Sequence, residues 1–261
     1  MGEILRTEGV CKYFGGLKAV DDVSMSIQSG DIFGIIGPNG AGKTTFFNVC
    51  SGFYKPTKGK VWFDGQDISD KNPEQIAAMG LARTFQATQL FQYMTVLDNV
   101  KIGCHMHMKS GFMDAVFHTG TYKADEEYAE HSAYDALKRA GLEEYALHKA
   151  GNLSYGIQRK VEIVRSLVTE PKLLLLDEPA AGMNRMETDS LREFLEMLNK
   201  EGQTIALIEH DMRFVMGCCH KILVLNFGKR ICEGPPSVVI ADEEVQRAYF
   251  GSGKIGGKAS A

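Results

Sequence analysis

The sequence predicts an α/β fold: a largely parallel sheet with helices on both faces, an N-terminal antiparallel β subdomain and an inserted α-helical subdomain. Three observations predict it. Ile32 to Ile36 and Leu173 to Leu176 are apolar throughout, as strands buried on both faces are. Segments with apolar residues at helical spacing alternate with such runs, the pattern of a parallel sheet. The middle of the chain, from about Thr88 to Asn152, carries no strand-like run.

In chain order, Ile4 to Phe63 reads mainly as short strands. Val23–Met25–Ile27 and Val61–Phe63 place apolar residues at every second position, the mark of a half-buried antiparallel strand. A glycine-rich turn follows Ile36, and a helix is predicted from Lys43 into Cys50. Further on, Asp125 to Ala140 has a helical pattern, whereas Lys109 to Thr121 is rich in glycine and short of pattern. Ile157, Val161, Val164 and Val168 recur at i, i+4, i+7 and i+11, and Leu191, Leu195 and Leu198 repeat the spacing. Thr204 to Ile208 and Ile222 to Leu225 are two more buried strands. The expected organisation is one domain over 1–251, with a core of about 1–87 and 159–251, a helical subdomain of about 88–158 and a flexible tail at 252–261.

Composition excludes several classes. With 44% hydrophobic and 24% charged residues the chain has the apolar content to fold. Its 29 basic and 33 acidic residues give a net charge of −4, without the basic stripe of a nucleic-acid binder. No apolar run reaches the roughly 18 residues of a membrane span, and Met1 to Arg6 lacks a signal peptide's pattern, so a cytoplasmic chain is expected. The six cysteines form no C-x-x-C pair and read as buried thiols. Cys104, His105 and His107 cluster without a second ligand pair, and no metal is assigned to them.

The chemistry concentrates at Gly37, Pro38, Asn39, Gly40, Ala41, Gly42, Lys43 and Thr44, which fit the phosphate-binding pattern G-x-x-x-x-G-K-[ST]. Its glycines let backbone N–H groups turn inward around phosphates, and Lys43 supplies a cation. Thr44 offers a hydroxyl to Mg²⁺, and a helix opening here points its positive end at the anion. The pattern follows a buried strand and opens a helix, as the motif requires. Asp177 and Glu178 end the leucine strand, where a carboxylate lies beside the nucleotide crevice. Asp177 is expected to hold Mg²⁺ through water, and Glu178 to orient or deprotonate the attacking water. Phe14, Gln86, Ser154 and His210 each have an ordinary reading as core aromatic, loop glutamine, helix cap and strand-end histidine. Their joint order and spacing is what sets them apart.

With those residues in place, the sequence resembles the ATP-binding cassette family from about Leu5 to Gly251. The resemblance implies a P-loop NTPase core of RecA-like type. It gives Phe14 the role of stacking on adenine and extends the phosphate loop through Thr45. Gln86 becomes the Q-loop glutamine, a catalytic residue that senses Mg²⁺ and faces the membrane partner. Ser154 and Gly156 match the signature motif, Glu178 the catalytic glutamate, His210 the switch histidine and Ala180 to Asn184 the D-loop. Ala82 to Gln86, Leu90-Phe91, the Leu-Ser-Tyr-Gly signature and the Ala-Tyr-Phe-Gly ending are similar to the LivG-type branch serving branched-chain amino-acid importers. Ile157 departs from that pattern, standing where a glutamine is usual; Gln158 follows it.

The resemblance implies ATP and Mg²⁺ as cofactors, two membrane permease subunits and a LivF-like second ATPase subunit or a homodimer in isolation. It also implies a periplasmic or extracellular binding protein as an indirect partner, no nucleic acid, and a place on the cytoplasmic face of the membrane. Alternatives inside the family are an importer subunit for urea, lipopolysaccharide or another solute, and a soluble ATPase without a transport role. A GTPase is excluded, because Asn199-Lys200-Glu201-Gly202 lacks the aspartate of the N-K-x-D base reader.

Overall fold

Residues 2–84, 86, 89–108, 110–117 and 119–250 are described by the computed structural model. Two-residue alternation at Val23, Met25 and Ile27 marks β2 (Leu17–Gln28), which pairs antiparallel with β1 (Glu3–Phe14). The apolar run becomes β3 (Ile32–Ile36), and the glycine-rich turn leads into α1 (Lys43–Cys50). Next come β4 (Lys58–Phe63), β5 (Gln66–Asp67), α2 (Pro73–Ala78) and β6 (Leu81–Arg83). Four helices follow: α3 (Val96–Gly103), α4 (Phe112–Phe117), α5 (Gly120–Arg139) and α6 (Tyr155–Leu167). The leucine run forms β7 (Leu173–Asp177), and α7 (Arg185–Lys200) leads to β8 (Thr204–Ile208). Then come α8 (Met212–Cys218), β9 (Lys221–Asn226), β10 (Lys229–Gly234), α9 (Pro236–Ala241) and α10 (Glu243–Phe250).

The strands make two sheets. One is antiparallel, in the order β2-β1-β4-β5; the other is six-stranded, in the order β10-β9-β3-β8-β7-β6. In the second sheet only β10 runs antiparallel to its neighbour. Successive side chains point to opposite faces, so each central strand feeds two cores. Ile32, Ile36, Leu174, Leu176, Ile205, Leu207, Ile222 and Val224 pack toward Val161 and Val164 of α6, Leu191 and Leu195 of α7 and Phe214 of α8. Phe33, Ile35, Leu173, Leu175, Ala206, Ile208, Leu223 and Leu225 pack instead on Phe46 and Phe47 of α1 and on the antiparallel sheet. This is the α/β architecture expected, with all five residues of β3, β7 and β8 buried. Gly34 lets α8 press on β3, since a Cβ there would lie 2.9 Å from Val215 Cγ1 and 3.0 Å from Cys219 Sγ.

Some expectations need adjusting. β1 and β2 are 12 residues each rather than short, because register shifts break their ladder and let long strands curl over the core. The stretch without pattern contains α4, a six-residue helix too short to show a period. β6 was hidden for the same reason, at three residues. All six cysteines are free and buried, and no group of His, Cys, Asp or Glu able to hold a metal occurs among the described residues. Nor is any described helix long and apolar enough to cross a membrane. The tail at 252–261, Phe85, and Ala87 at the expected subdomain boundary lie outside the described residues.

Leu175 sits at the centre of β7 with no exposed surface, packed in the core that α1 shares with the antiparallel sheet. Leu175→Ala removes buried methyl groups where neighbouring strands cannot close in, and is expected to cost about 2–5 kcal/mol. Urea unfolding followed by circular dichroism measures it.

Candidate functional site

Register brings the site together. Asp177 pairs with Ile208, and Ile208 with Ile35, so β7, β8 and β3 end at one level. The chain leaves β3 into the phosphate-loop sequence and leaves β7 into Glu178. The crevice at the carboxyl ends of such strands is where α/β proteins place ligands.

The loop from Gly37 to Gly42 owes its path to close backbone approaches. A Cβ on Gly37 would lie 2.2 Å from Leu225 O, and one on Gly42 would lie 2.2 Å from Ala19 O. Gly42 also has φ 98° as it opens α1 without a side-chain cap, and the first turn of α1 carries no acidic residue. The helix therefore presents unpaired N–H groups and its positive end toward the crevice. Between the two glycines, Ala41 is buried, while Asn39 and Gly40 are exposed beside half-buried Pro38.

Lys43 is 7% exposed and its ammonium donates to Gly37 O at 2.7 Å and Pro38 O at 3.1 Å. Burial pulls its pKa below the ordinary lysine value, against the opposing field of Glu178, Asp177 and Glu209. Thr44, Asn48, Arg83, Gln86 and Asp177 line one open cleft. Oxygen donors from Thr44, Asp177 and Gln86 are the set that a hard cation such as Mg²⁺ takes. Thr45, next in α1, is half-buried.

Glu178 is one of the few non-glycine residues with positive φ, at 47°. Such a residue persists where its surroundings over-determine it. Its N–H donates to Ile208 O at 3.0 Å, and its Oε2 accepts from Gln86 Nε2 at 2.9 Å. The structure thus joins Gln86 and Glu178, 92 positions apart. His210 follows β8 by two residues, with its side chain 59% exposed and Nδ1 3.7 Å from Glu209 Oε2. Its backbone N–H donates to Glu209 Oε2 at 3.2 Å, and Glu209 Oε1 accepts from Ala180 N at 2.7 Å. Burial raises the Glu209 carboxyl above the usual carboxylate range, while those two N–H groups oppose the rise.

Ser154 and Gly156 find other partners. Ser154 caps α6 by accepting from Ile157 N, and Gly156 N donates to Glu187 Oε1 at 3.2 Å. Gln158 donates back to Leu153 O at 2.9 Å. Phe14, 43% exposed, meets Tyr54 edge to face at 5.4 Å, with Lys12 Nζ 5.2 Å from its ring centre.

Two arginines were not anticipated. Arg83 Nη2 donates to Asp177 Oδ2 at 2.8 Å, and its Nη1 reaches Asn48 Oδ1 at 2.7 Å and Ser51 Oγ at 2.8 Å. Arg159 has no exposed surface. Its Nη2 donates to the carbonyls of Gln86, Asp177 and Glu178 at 3.0–3.2 Å, its Nε to Pro179 O at 3.2 Å and its Nη1 to Glu162 Oε2 at 2.6 Å. The available signal was Arg159 and Glu162 three residues apart in an amphipathic helix just before a buried strand, where charges are rare unless paired.

Comparisons with known proteins agree with this geometry. A family model described as ABC transporter matches residues 20–181. The high-affinity branched-chain amino acid transport ATP-binding protein LivG of Escherichia coli (strain K12) is 43% identical over 249 residues, 95% of this chain and 98% of that protein. The crystal structure of the ADP conformation of an ATP-binding cassette of an ABC transporter superposes with a TM-score of 0.84 at 37% identity, covering 96% of this chain and 100% of that one. A dimeric structure of a bacterial ABC transporter cassette gives 0.73 at 27% identity, covering 89% and 99%. A family match over more than half the chain, joined to LivG-like identity along nearly all of it, means that this chain belongs to the ABC transporter family as one of its ATP-hydrolysing cassettes.

Proposed function

We propose that this chain is the ATPase subunit of an importer for branched-chain amino acids, acting on the cytoplasmic face of the membrane. The observation that carries the substrate is the 43% identity with LivG over 95% of the chain. The substrate is assigned from that likeness.

We assign the side chains these roles. Phe14 stacks on the adenine, and Gly37 to Thr45 hold the phosphates through backbone N–H groups and the Lys43 ammonium. Thr44, Asp177 and Gln86 are the residues that would hold Mg²⁺, which neutralises and orients the phosphates when bound. Glu178 accepts the proton of the attacking water, held by Gln86 on one side. His210, exposed beside Glu209, faces the γ-phosphate side of the crevice. Ser154 and Gly156 open α6 with an anion-binding end aimed at a second cassette, so that two chains pair head to tail. The solved dimer of a related cassette supports pairing, and a LivF-like subunit is the partner we assign.

An apolar surface supports contact with the membrane permeases. Phe91, Tyr93 and Met94 are 55%, 91% and 37% exposed. Leu147, 81% exposed, joins them because Val96 N bonds to His148 O and Ala150 N to Met94 O. Exposed aromatic and sulfur-bearing side chains in one patch are the composition of an interface core. The patch lies directly after Gln86, so force on it reaches the hydrolytic site by a short path. A solute-binding protein outside the membrane completes the importer.

Glu178→Gln keeps size and one hydrogen bond but cannot take the proton. Turnover should fall about 10²–10⁴-fold while ATP binding survives. In liposomes holding the permeases and binding protein, leucine uptake should need ATP and stop with this variant; unchanged uptake would remove Glu178 from the mechanism. Absence of leucine, isoleucine and valine uptake by the active wild type would refute the assigned substrate.

Phe91→Asp places a charge in the patch. Loss of one well-packed anchor costs on the order of 2 kcal/mol or more at an interface. The variant should fail to co-purify with the permeases yet bind ATP as the wild type does.

A further inference from the structure

Arg159, Glu162 and Arg165 recur at every third position of α6 and therefore share one helix face. That face grips the loop after β6 at two points. Arg159 holds Gln86 O at 3.0 Å; three residues on, Glu162 Oε1 accepts from Gln89 N at 3.3 Å and Arg165 Nη1 donates to Gln89 O at 2.7 Å. Arg159 also holds the turn after β7, through the carbonyls of Asp177, Glu178 and Pro179. One guanidinium thus ties α6 to both segments that carry the Gln86–Glu178 contact.

The chemistry explains why arginine stands there. Its planar fork donates in several fixed directions, whereas a lysine ammonium is a single point that cannot span two backbone segments and the Glu162 carboxylate at once. The carbonyls of Asp177 and Glu178 converge on one nitrogen because the chain kinks at Glu178, φ 47°. A left-handed glutamate is costly unless held, and Arg159 holds it from the buried side. Such a pair adds little to stability on its own, since removing two charges from water offsets most of their attraction. Its contribution is to position.

We propose that Arg159 is a positioning residue for hydrolysis: it sets the backbones of Gln86 and Glu178 together, so that the orientation of α6 is transmitted to the hydrolytic carboxylate. The inference rests on the reading of Glu178 as the proton acceptor. Because α6 begins at Ser154 and Gly156, a partner that engages those residues acts on Glu178 through Arg159.

Arg159→Lys in the full chain keeps a counter-charge for Glu162 but loses the fork. Turnover should fall about 10–10²-fold, as for a misplacement near 1 Å, with ATP affinity changed by less than about twofold. Amide exchange at Gln89, Glu178 and Ala180, whose N–H groups are hydrogen-bonded, should rise together while β3 and α7 keep their protection. In a Glu178→Gln background the same substitution should cost less than about twofold more, because it acts through Glu178. Arg159→Gln/Glu162→Gln, which removes both charges, serves if the lysine variant does not fold, with the same expectations. Unchanged turnover, a full second loss in the Glu178→Gln background, or a rise in exchange throughout the chain overturns the inference. Near-normal turnover of Glu178→Gln by itself overturns the underlying reading, and Arg159's role with it.

Discussion

The common level at which β3, β8 and β7 end is the constraint on which the site depends. Strand pairing has a period of two, so slipping β7 by one residue against β8 would exchange its two faces. Leu174 and Leu176 would then meet the core of α1, and Leu173 and Leu175 that of α6 and α7. The same slip would carry Asp177 away from Ile208 and from the loop after β3. Packing and chemistry are therefore fixed by one register. The hydrophobic pattern that makes the strand also measures where its carboxylate falls.

Around that register the protein manages a concentration of buried charge. Asp177 and Arg83 have side chains only 7% and 6% exposed, and Arg159 and Glu162 are 0% and 2% exposed. Each carboxylate has an arginine; Arg159 gives its other donors to backbone carbonyls, and Arg83 gives its Nη1 to Asn48 Oδ1 and Ser51 Oγ. Removing one member would leave an uncompensated charge, a far larger loss than the pair itself contributes. Lys43, 7% exposed and held by two loop carbonyls among three carboxylates, is the third buried cation beside the two arginines.

Much of this was legible in the sequence, for identifiable reasons. β3, β7 and β8 were visible because each is a five-residue, wholly buried run too short for a helix and bounded by turn residues, and α1 because glycines and a lysine frame its start. The elements that escaped were short, three residues in β6 and six in α4, below the length at which a period can declare itself. Gln86 and Glu178 were legible one at a time, but their 2.9 Å contact depends on β6 and β7 lying side by side. Arg159 was legible as a charge and not as a hub, because its partners are backbone carbonyls, which have no letter in the sequence. For the same reason Glu187, bonded to Gly156 N, reads from the sequence only as the start of a helix.

The backbone-on-backbone contact beneath Gly42 has a further consequence. Ala19 O, Gly42 and Gly228 meet without intervening side chains: a Cβ on Gly42 would strike Ala19 O, and one on Gly228 would lie 2.9 Å from it. Gly228 N donates to Ala41 O at 3.0 Å, and Asp21 N to Gly228 O at 2.7 Å. Three chain segments, distant in sequence, are laminated there by peptide groups alone. Such a junction is indifferent to which side chain Ala19 carries and intolerant of any change in the path of its strand. The constraint on the loop before α1 therefore extends into the antiparallel sheet as a sensitivity to insertions and deletions in β2 and in the β9–β10 turn, and to any side chain at Gly228, rather than to the side chain at position 19.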